Sequence, residues 1–200
     1  MKYLCFFESG TPTPTPTAGV SVVSRDRIVR RVGAFTFAPE TGAVPMPDPP
    51  PVPYASVVGI TYPAGDGPSS AELRAQLGAD VVCRVDTRTQ FDSPVPSGYV
   101  KVIGFLRRRD DRTRDEFATH WNGVHGDLVL ASAPTFLRYV TNVAREVAGD
   151  FRWDGIVEQW FRSAETLAAH VAPGRPGREA IAADEPGMIT ANDVFLAEPI

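Results

Sequence analysis

His120 and His125 are the residues of this sequence best suited to acid–base chemistry, because a neutral imidazole near pH 7 can take up and return a proton. Asp115 and Glu116 precede them and suit the first turn of a helix. At about 3.6 residues per turn, that helix presents one apolar stripe, formed by Phe117, Trp121, Val124 and Leu128. The two histidines then lie on opposite flanks of the stripe. His125 is the first candidate for the acid–base residue and His120 the second.

A structural role explains the same helix. A histidine at the border of a helix is often a half-buried polar group, and a tryptophan such as Trp121 is often part of a hydrophobic core. The catalytic interpretation therefore depends on what surrounds this helix, which the pattern predicts over about residues 115–130.

Two further candidates lie on a strand predicted over residues 135–143. Tyr139 could donate a proton or a hydrogen bond to a developing enolate oxygen, and Asn142 could orient a carbonyl group or hold a histidine. The two residues are three apart, so in a regular strand they point to opposite faces and only one of them can face the helix. For each, a structural role is an equal alternative.

The next predicted strand adds candidates for substrate binding. Asp154, Glu158 and Trp160 share one face by the two-residue period of a strand. Glu158 could fix the tautomer of a histidine or pair with an arginine. Trp160 and Trp121 suit a flat aromatic or polyene ligand, although large aromatic side chains are also common in hydrophobic cores. With Trp121 and Asn142, these residues form the predicted substrate-binding set.

Neither a metal nor an organic cofactor is predicted. His120, His125 and Glu158 could hold a metal ion, but two histidines five apart do not have the i, i+4 spacing of helical zinc pairs. The sequence has no phosphate loop and no dinucleotide-binding fingerprint. Without a cofactor, the protein could catalyse a reaction by proton transfer and by the shape of its cavity. This favours cyclisation, dehydration or decarboxylation of an activated carbonyl compound.

Composition bounds the class of protein. The 200 residues suit one large domain or two small ones, and a hydrophobic share of 43% is enough for a core. A net charge of −4 gives no reason to expect nucleic acid, and no apolar run is long enough to span a membrane or to act as a cleavable signal. Cys5 and Cys83 lie in apolar runs and are predicted to be buried thiols of a reducing cytoplasm.

Both halves of the sequence predict the order β-α-β-β-α-β. The first half is residues 1–92, with helices predicted at 24–32 and 69–77; residues 93–98 form a linker, and residues 99–200 are the second half. Each half would form a ferredoxin-like sheet with helices on one face. Because several strands are apolar on both sides, the two sheets should pack against each other in one α+β chain, a pseudo-dimeric α/β barrel. Two proline-rich segments, residues 11–17 and 45–53, should be exposed loops.

The second half resembles the EthD family of the dimeric α/β-barrel superfamily over about residues 99–198. The resemblance rests on Phe117, His120, Trp121, His125, Arg138, Tyr139, Asn142, Asp154, Gly155, Ile156, Val157, Glu158, Trp160, Phe161, Asp184, Glu185, Val194 and Phe195. Family members pair two such domains, as two chains or as a tandem. The resemblance implies a tandem whose first half is a degenerate copy, and the absence of histidine from that half argues against a second site.

The resemblance implies a cofactor-free enzyme of polyketide or aromatic metabolism. The main hypothesis is a cytoplasmic cyclase, dehydratase or decarboxylase, acting as a lyase or isomerase on a hydrophobic, polycyclic or polyene small molecule. The first alternative is a cofactor-free monooxygenase on a phenol, whose electrons reduce oxygen. The second alternative is a ligand-binding accessory protein without catalysis. The chain should be a monomer or a homodimer, with neither nucleic acid nor membrane as a partner.

Overall fold

A computed structural model describes residues 1–9, 20–38 (backbone only at 23), 40, 42–49, 54–63, 65, 67–132, 135–172 and 174–200. The strands in these ranges are β1 Lys2–Phe7, β2 Ser21–Ala38, β3 Gly42–Pro45, β4 Ser56–Thr61, β5 Val81–Asp92, β6 Val100–Arg108, β7 Phe136–Ala148, β8 Gly155–Phe161 and β9 Ile189–Pro199. The helices are α1 Ser70–Leu77, α2 Arg114–His120, a π-helical turn Trp121–His125, α3 Gly126–Ala131, α4 Ala164–Val171 and α5 Arg178–Met188.

Within the described ranges, eight of the strands close into one antiparallel barrel. Their order is β2-β4-β1-β5-β7-β8-β6-β9, and β9 pairs again with β2 to close the ring. The ninth strand, β3, forms a hairpin with the end of β2. The fold is therefore a mixed α/β barrel, as predicted. The strands of the two halves are hydrogen-bonded into one sheet, through β5–β7 and β2–β9, rather than stacked as two separate sheets.

The first half departs from the predicted element order. The helix expected over residues 24–32 is wrong, because these residues belong to the long strand β2. One edge of β2 pairs with β4 from Ser21 to Arg27, and pairing with β9 runs from Asp26 to Thr36, with register shifts along the way. These backbone hydrogen bonds to strands distant in sequence outweigh a local helix signal. The described part of the first half therefore holds one helix, α1.

Several other elements lie close to their predicted positions, and α1 shows why. Ser69 and Glu72 form the predicted capping box, and Gly78 ends the helix in a left-handed conformation with φ of 62°. Ser163 caps α4 in the same way, although Thr166 rather than an acidic residue completes the box. Residues 93–98 lie between β5 and β6.

Strands of the barrel are apolar on both sides because one side faces the barrel interior and the other faces helices. In β1, Leu4 and Phe6 belong to the interior cluster, whereas Tyr3 and Cys5 pack on the outer side with Leu73 of α1. Across the second half, α2 to α5 lie outside the barrel, and their apolar residues form two further clusters with the outer faces of β6 to β9. The space between these helices and the sheet is where a site can form.

Three smaller predictions have mixed outcomes. Cys5 and Cys83 are buried and free, as expected. The proline-rich segment at 11–17 lies outside the described residues, and so do residues 50–53 of the second segment; Pro45 ends strand β3, and residues 46–49 form no regular element. Among the helices in the described ranges, none is long and apolar enough to cross a membrane.

Candidate active site

The helix that carries both histidines is interrupted by the π-helical turn Trp121–His125. Asn122, inside this turn, is held by two strands of the barrel. Gln90 of β5 donates to its backbone carbonyl at 3.2 Å and to its side-chain oxygen at 3.0 Å, and Thr141 of β7 donates to the same side-chain oxygen at 2.6 Å. A π turn is rare and widens the helix locally, often at functional sites. Here the strands provide partners that stabilise it.

The wider turn changes which residues face the barrel. The buried positions include Phe117, Trp121, His125 and Val129, which are spaced by four residues, and also Ala118 and Gly126. Val124, predicted to lie on the apolar stripe, is 54% exposed, so that prediction is wrong. The regular helical period fails because a π turn takes more residues per turn than an α-helix. His125 therefore lies on the buried face itself, with only 7% of its surface exposed.

One carboxylate joins the two histidines. Asp184, on α5, places Oδ1 2.8 Å from Nε2 of His120 and Oδ2 2.9 Å from Nδ1 of His125. The prediction that the histidines diverge to opposite flanks is wrong, since the π turn brings residues five apart to the same side. Burial tends to raise the pKa of Asp184, but the hydrogen bonds from His125 and His120 outweigh it and hold this pKa below its usual value.

His125 lines a cavity of about 390 Å³ between the outer face of the second-half strands and the helices. Its lining is mostly apolar and includes Val102, Gly104, Leu106, Trp121, Val129, Tyr139, Val157, Ile181, Met188, Ile189 and Val194. The first half contributes through β2 and β3, with Val32, Gly33, Phe35, Phe37 and Ala43. The long strand β2 is therefore what brings the first half to the site.

Trp121 forms a wall of this cavity. Its ring lies 5.2 Å from the ring of Phe117, centroid to centroid, and packs directly over Gly155, where an added Cβ would lie 2.6 Å from the indole. Tyr139 lines the same cavity. Burial raises the pKa of Tyr139 above its usual value, so the phenol stays protonated.

Several polar residues complete the cavity. Glu185, next to Asp184 on α5, lines it, and burial raises the pKa of its carboxyl group although the charges of Arg178 and His125 oppose this. Gln159 and Asn192 offer neutral polar groups, and a basic end is formed by His170, Arg175 and Arg178. The cavity thus combines an oriented imidazole, a phenol, a carboxyl group that keeps its proton to higher pH than usual, and arginines.

His120 does not line the cavity. Its side chain is 19% exposed, and it contacts the far oxygen of Asp184. Tyr139 and Trp121 line the same cavity as His125, and Tyr139 rather than Asn142 faces the helices. The opposite orientation of the two residues follows from the strand period.

Asn142 and Glu158 lie inside the barrel, away from the cavity. Glu158 contacts Lys2 at 2.9 Å and Lys101 at 2.8 Å, and Asn142 donates to its Oε1 at 3.0 Å. Lys101 is fully buried and also pairs with Asp26. Burial alone would raise the pKa of Glu158, but the charges of Lys101 and Lys2 outweigh it and lower this pKa strongly. The sequence predicted that Glu158 orients a histidine or pairs with an arginine. Its partners are instead lysines, and it lies apart from His120 and His125, with which it could have held a metal ion.

Trp160 and Asp154 are also outside the cavity lining. Lys101 Nζ lies 4.6 Å from the centre of the Trp160 ring, within the same buried group as Glu158. Asp154 pairs with Arg108 at 3.2 Å and Arg114 at 3.4 Å, so it ties the start of α2 to the barrel. The predicted substrate-binding set is thus divided, and Trp121 is the member that contacts the cavity.

Sequence reasoning assigned no role to Asp184, Glu185, His170 or the two arginines of the basic end. Asp184 and Glu185 were part of the family resemblance, and that was the available signal for them. His170 and Arg175 follow no motif. His170 lies on α4, and Arg175 donates to the carbonyl of Ser132 at the end of α3, contacts that spacing along the chain does not reveal.

The closed barrel with helices on its outside and a cavity between the two layers places the protein among α/β-barrel proteins. Residues 109–191 match the model of the EthD domain, the family that the second half resembles. The crystal structure of an anthrone oxidase-like protein is similar over 98% of this chain and 90% of that chain, with a TM-score of 0.54 and 12% identity. A proposed monooxygenase from Lactobacillus acidophilus NCFM covers 88% of this chain and 77% of its own, with a TM-score of 0.46 and 13% identity. No curated protein matches the sequence.

Proposed function

We propose that the protein is a cofactor-independent enzyme that removes a proton from an acidic aromatic substrate and lets the resulting carbanion react with molecular oxygen. The observation that carries this proposal is the Asp184–His125 pair at 2.9 Å on the wall of a largely apolar cavity. Asp184 occupies Nδ1, so Nε2 is the nitrogen of His125 that can act on a substrate. A carboxylate that orients an imidazole is a recurring arrangement for general bases.

The reaction balances with oxygen as the oxidant. His125 Nε2 takes a proton from an activated methylene carbon, and the negative charge spreads into the ring system and onto a carbonyl oxygen. The phenol of Tyr139 donates a hydrogen bond to that oxygen. The carbanion adds to molecular oxygen and, with a returned proton, gives a hydroperoxide; loss of water leaves a carbonyl group. One methylene group and one oxygen molecule thus yield one carbonyl group and one water.

This chemistry corresponds to the first alternative from the sequence, a cofactor-free monooxygenase, rather than to a cyclase. The similar crystal structure is described as anthrone oxidase-like, and anthrone has such an activated methylene group. The apolar walls, among them Trp121, Phe35 and Phe37, suit a flat polycyclic compound. Cyclisation or dehydration of a polyketide-like intermediate is the second candidate, because the same base would form the enolate that those reactions need.

We further infer that the first half is a degenerate copy of the second. The strand orders β2-β4-β1-β5 and β7-β8-β6-β9 support this, because each places the second, third, first and fourth main strands of its half in the same sequence. Residues 1–92 contain no histidine, so this copy has no counterpart of the histidine pair. Its strands β2 and β3 line the cavity.

Oxygen uptake with anthrone tests the proposal. The purified protein should consume oxygen and form the quinone in equal amounts, and isotopically labelled oxygen gas should appear in the new carbonyl group. Under argon the reaction should stop. Proton exchange at the methylene carbon without oxygen uptake would instead support enolate chemistry alone, and binding without either would support the accessory-protein hypothesis.

A further inference from the structure

Arg175 lies at the end of the cavity near the last residue of α3. Only one nitrogen of its guanidinium group makes hydrogen bonds to described residues. One nitrogen, Nη1, donates to the backbone carbonyl and to the hydroxyl of Ser132, both at 2.9 Å. The other two, Nε and Nη2, are buried and have no hydrogen-bond partner among the described residues. A buried charged donor without a partner is costly, so its persistence indicates a missing acceptor.

The neighbouring side chains do not provide that acceptor. Burial lowers the pKa of Arg175, and the charge of Arg178, which also lines the cavity, lowers it further. In the part of the chain that the structure describes, neither arginine is paired with a carboxylate. His170 completes this end. Burial and the two arginines lower its pKa to about 4, so it is neutral near pH 7, and its Nδ1 is buried with no hydrogen-bond partner among the described residues. The basic end is therefore suited to an anion.

The distance from this end to His125 suits a ligand with two functional parts. His125 and Ser132 lie at the two ends of α3, seven residues apart, which corresponds to about 10 Å along a helix. Between them the cavity is lined by apolar side chains such as Val129 and Tyr139. A ring system can span this interval with an anionic group at one end and a reactive carbon at the other.

We propose that the substrate is an aromatic carboxylic acid whose ionised carboxylate is bound by Arg175, through Nε and Nη2, with Arg178 and His170 beside it. A guanidinium edge presents two parallel donors that match the two oxygens of a carboxylate. This inference rests on the proposed use of the cavity for an aromatic substrate, and it adds the group that orients the substrate toward His125.

Binding of two matched probes tests the inference without turnover. 2-Naphthoate and 2-naphthamide have the same rings and differ in charge, and calorimetric titration measures the Kd of each. We expect the acid to bind about 10-fold or more tightly than the amide. In Arg175→Gln the acid and the amide should bind with equal Kd. In Arg175→Lys part of the preference for the acid should remain, since lysine keeps the positive charge but lacks the two parallel N–H donors. Arg30→Gln, which removes the same charge at an exposed position of β2, should keep the full preference.

Two further arms separate the possible failures. His125→Gln should keep the preference for the acid, so loss of turnover in that variant concerns the proposed function and not the carboxylate site. Acetate in excess should displace naphthoate poorly, because the rings contribute to binding. Equal Kd values for acid and amide in the native protein, no binding of the acid, equal loss of preference in Arg30→Gln, or full displacement by equimolar acetate would each overturn the inference.

Discussion

Nδ1 of His125 and Oδ2 of Asp184 lie 2.9 Å apart, although 59 residues separate them in the chain. The contact fixes the orientation of the imidazole and selects Nε2 as the nitrogen that acts in the cavity. The second oxygen of Asp184 is bound by His120, so the carboxylate is held from both sides. The proposed base is therefore oriented by this pair.

Asp184→Asn tests the role of the carboxylate. Asparagine keeps the size but loses the charge that stabilises a protonated imidazole, so kcat should fall by about 10²-fold or more while KM changes little. Steady-state kinetics with anthrone, beside a thermal melt, measures both effects. Asp110→Asn, at a largely exposed turn position, is the matched control and should leave kcat unchanged. Equal kcat in Asp184→Asn and the native protein would mean that the pair is structural.

Glu185→Gln gives a pH-dependent gain of stability. The folded-state pKa of Glu185 is raised above its usual value of 4.5, so ionisation of this carboxyl group destabilises the folded protein as pH rises through that range. Removal of the ionisable group should raise the melting temperature near pH 7 and should have no effect well below the usual pKa, where both states are protonated. Thermal melts across pH measure the difference. A destabilised variant near pH 7 would show that the charged form is favoured.

Glu158→Gln has the opposite sign. Because Lys101 and Lys2 lower the pKa of Glu158, its contribution to stability is present above the usual value of 4.5 and is lost as pH falls through the folded-state pKa. The variant removes the negative charge that neutralises Lys2 and Lys101. Its free energy of unfolding should therefore fall by about 3 kcal/mol near neutral pH. Denaturant titration measures this, with the exposed Glu198→Gln as the control. If the variant is as stable as the native protein but has lost turnover, Glu158 acts in catalysis rather than in stability.

Gly155→Ala tests the packing of Trp121. The new Cβ would lie 2.6 Å from the indole, so the ring of Trp121 must move, and the cavity wall that it forms must move with it. We expect a loss of about 1–3 kcal/mol and weaker binding of aromatic probes. Gly187→Ala is the control, because that position on α5 has open space around it. Unchanged probe affinity in Gly155→Ala would show that Trp121 does not shape the cavity.

The sequence predicted the elements whose signals are local. The capping box of Ser69 and Glu72 and the stop at Gly78 placed α1 closely, and the alternation of Tyr139 and Asn142 correctly assigned them to opposite faces. It failed at β2, because a strand held by partners more than 150 residues away has little signal of its own.

The site itself was only partly predictable. His125, Tyr139 and Trp121 were found because their residue types suit chemistry and lie in one half. The π turn escaped prediction, since its stability depends on Gln90 and Thr141, which come from two other strands. Glu158 was assigned to the site by strand period, but the period does not tell which face is the barrel interior, and the partners of Glu158 there are lysines.

The catalytic role of His125 is tested most directly by kcat/KM for oxygen uptake in His125→Ala, with His120→Ala measured in parallel. Removal of a general base should lower kcat/KM by about 10²-fold or more while the protein remains folded, because His125 forms a cavity wall. His120→Ala should lower kcat/KM less, because His120 contacts Asp184 but does not line the cavity. If His125→Ala is destabilised by more than about 2 kcal/mol and its folded fraction remains fully active, the account of His125 as the base is contradicted.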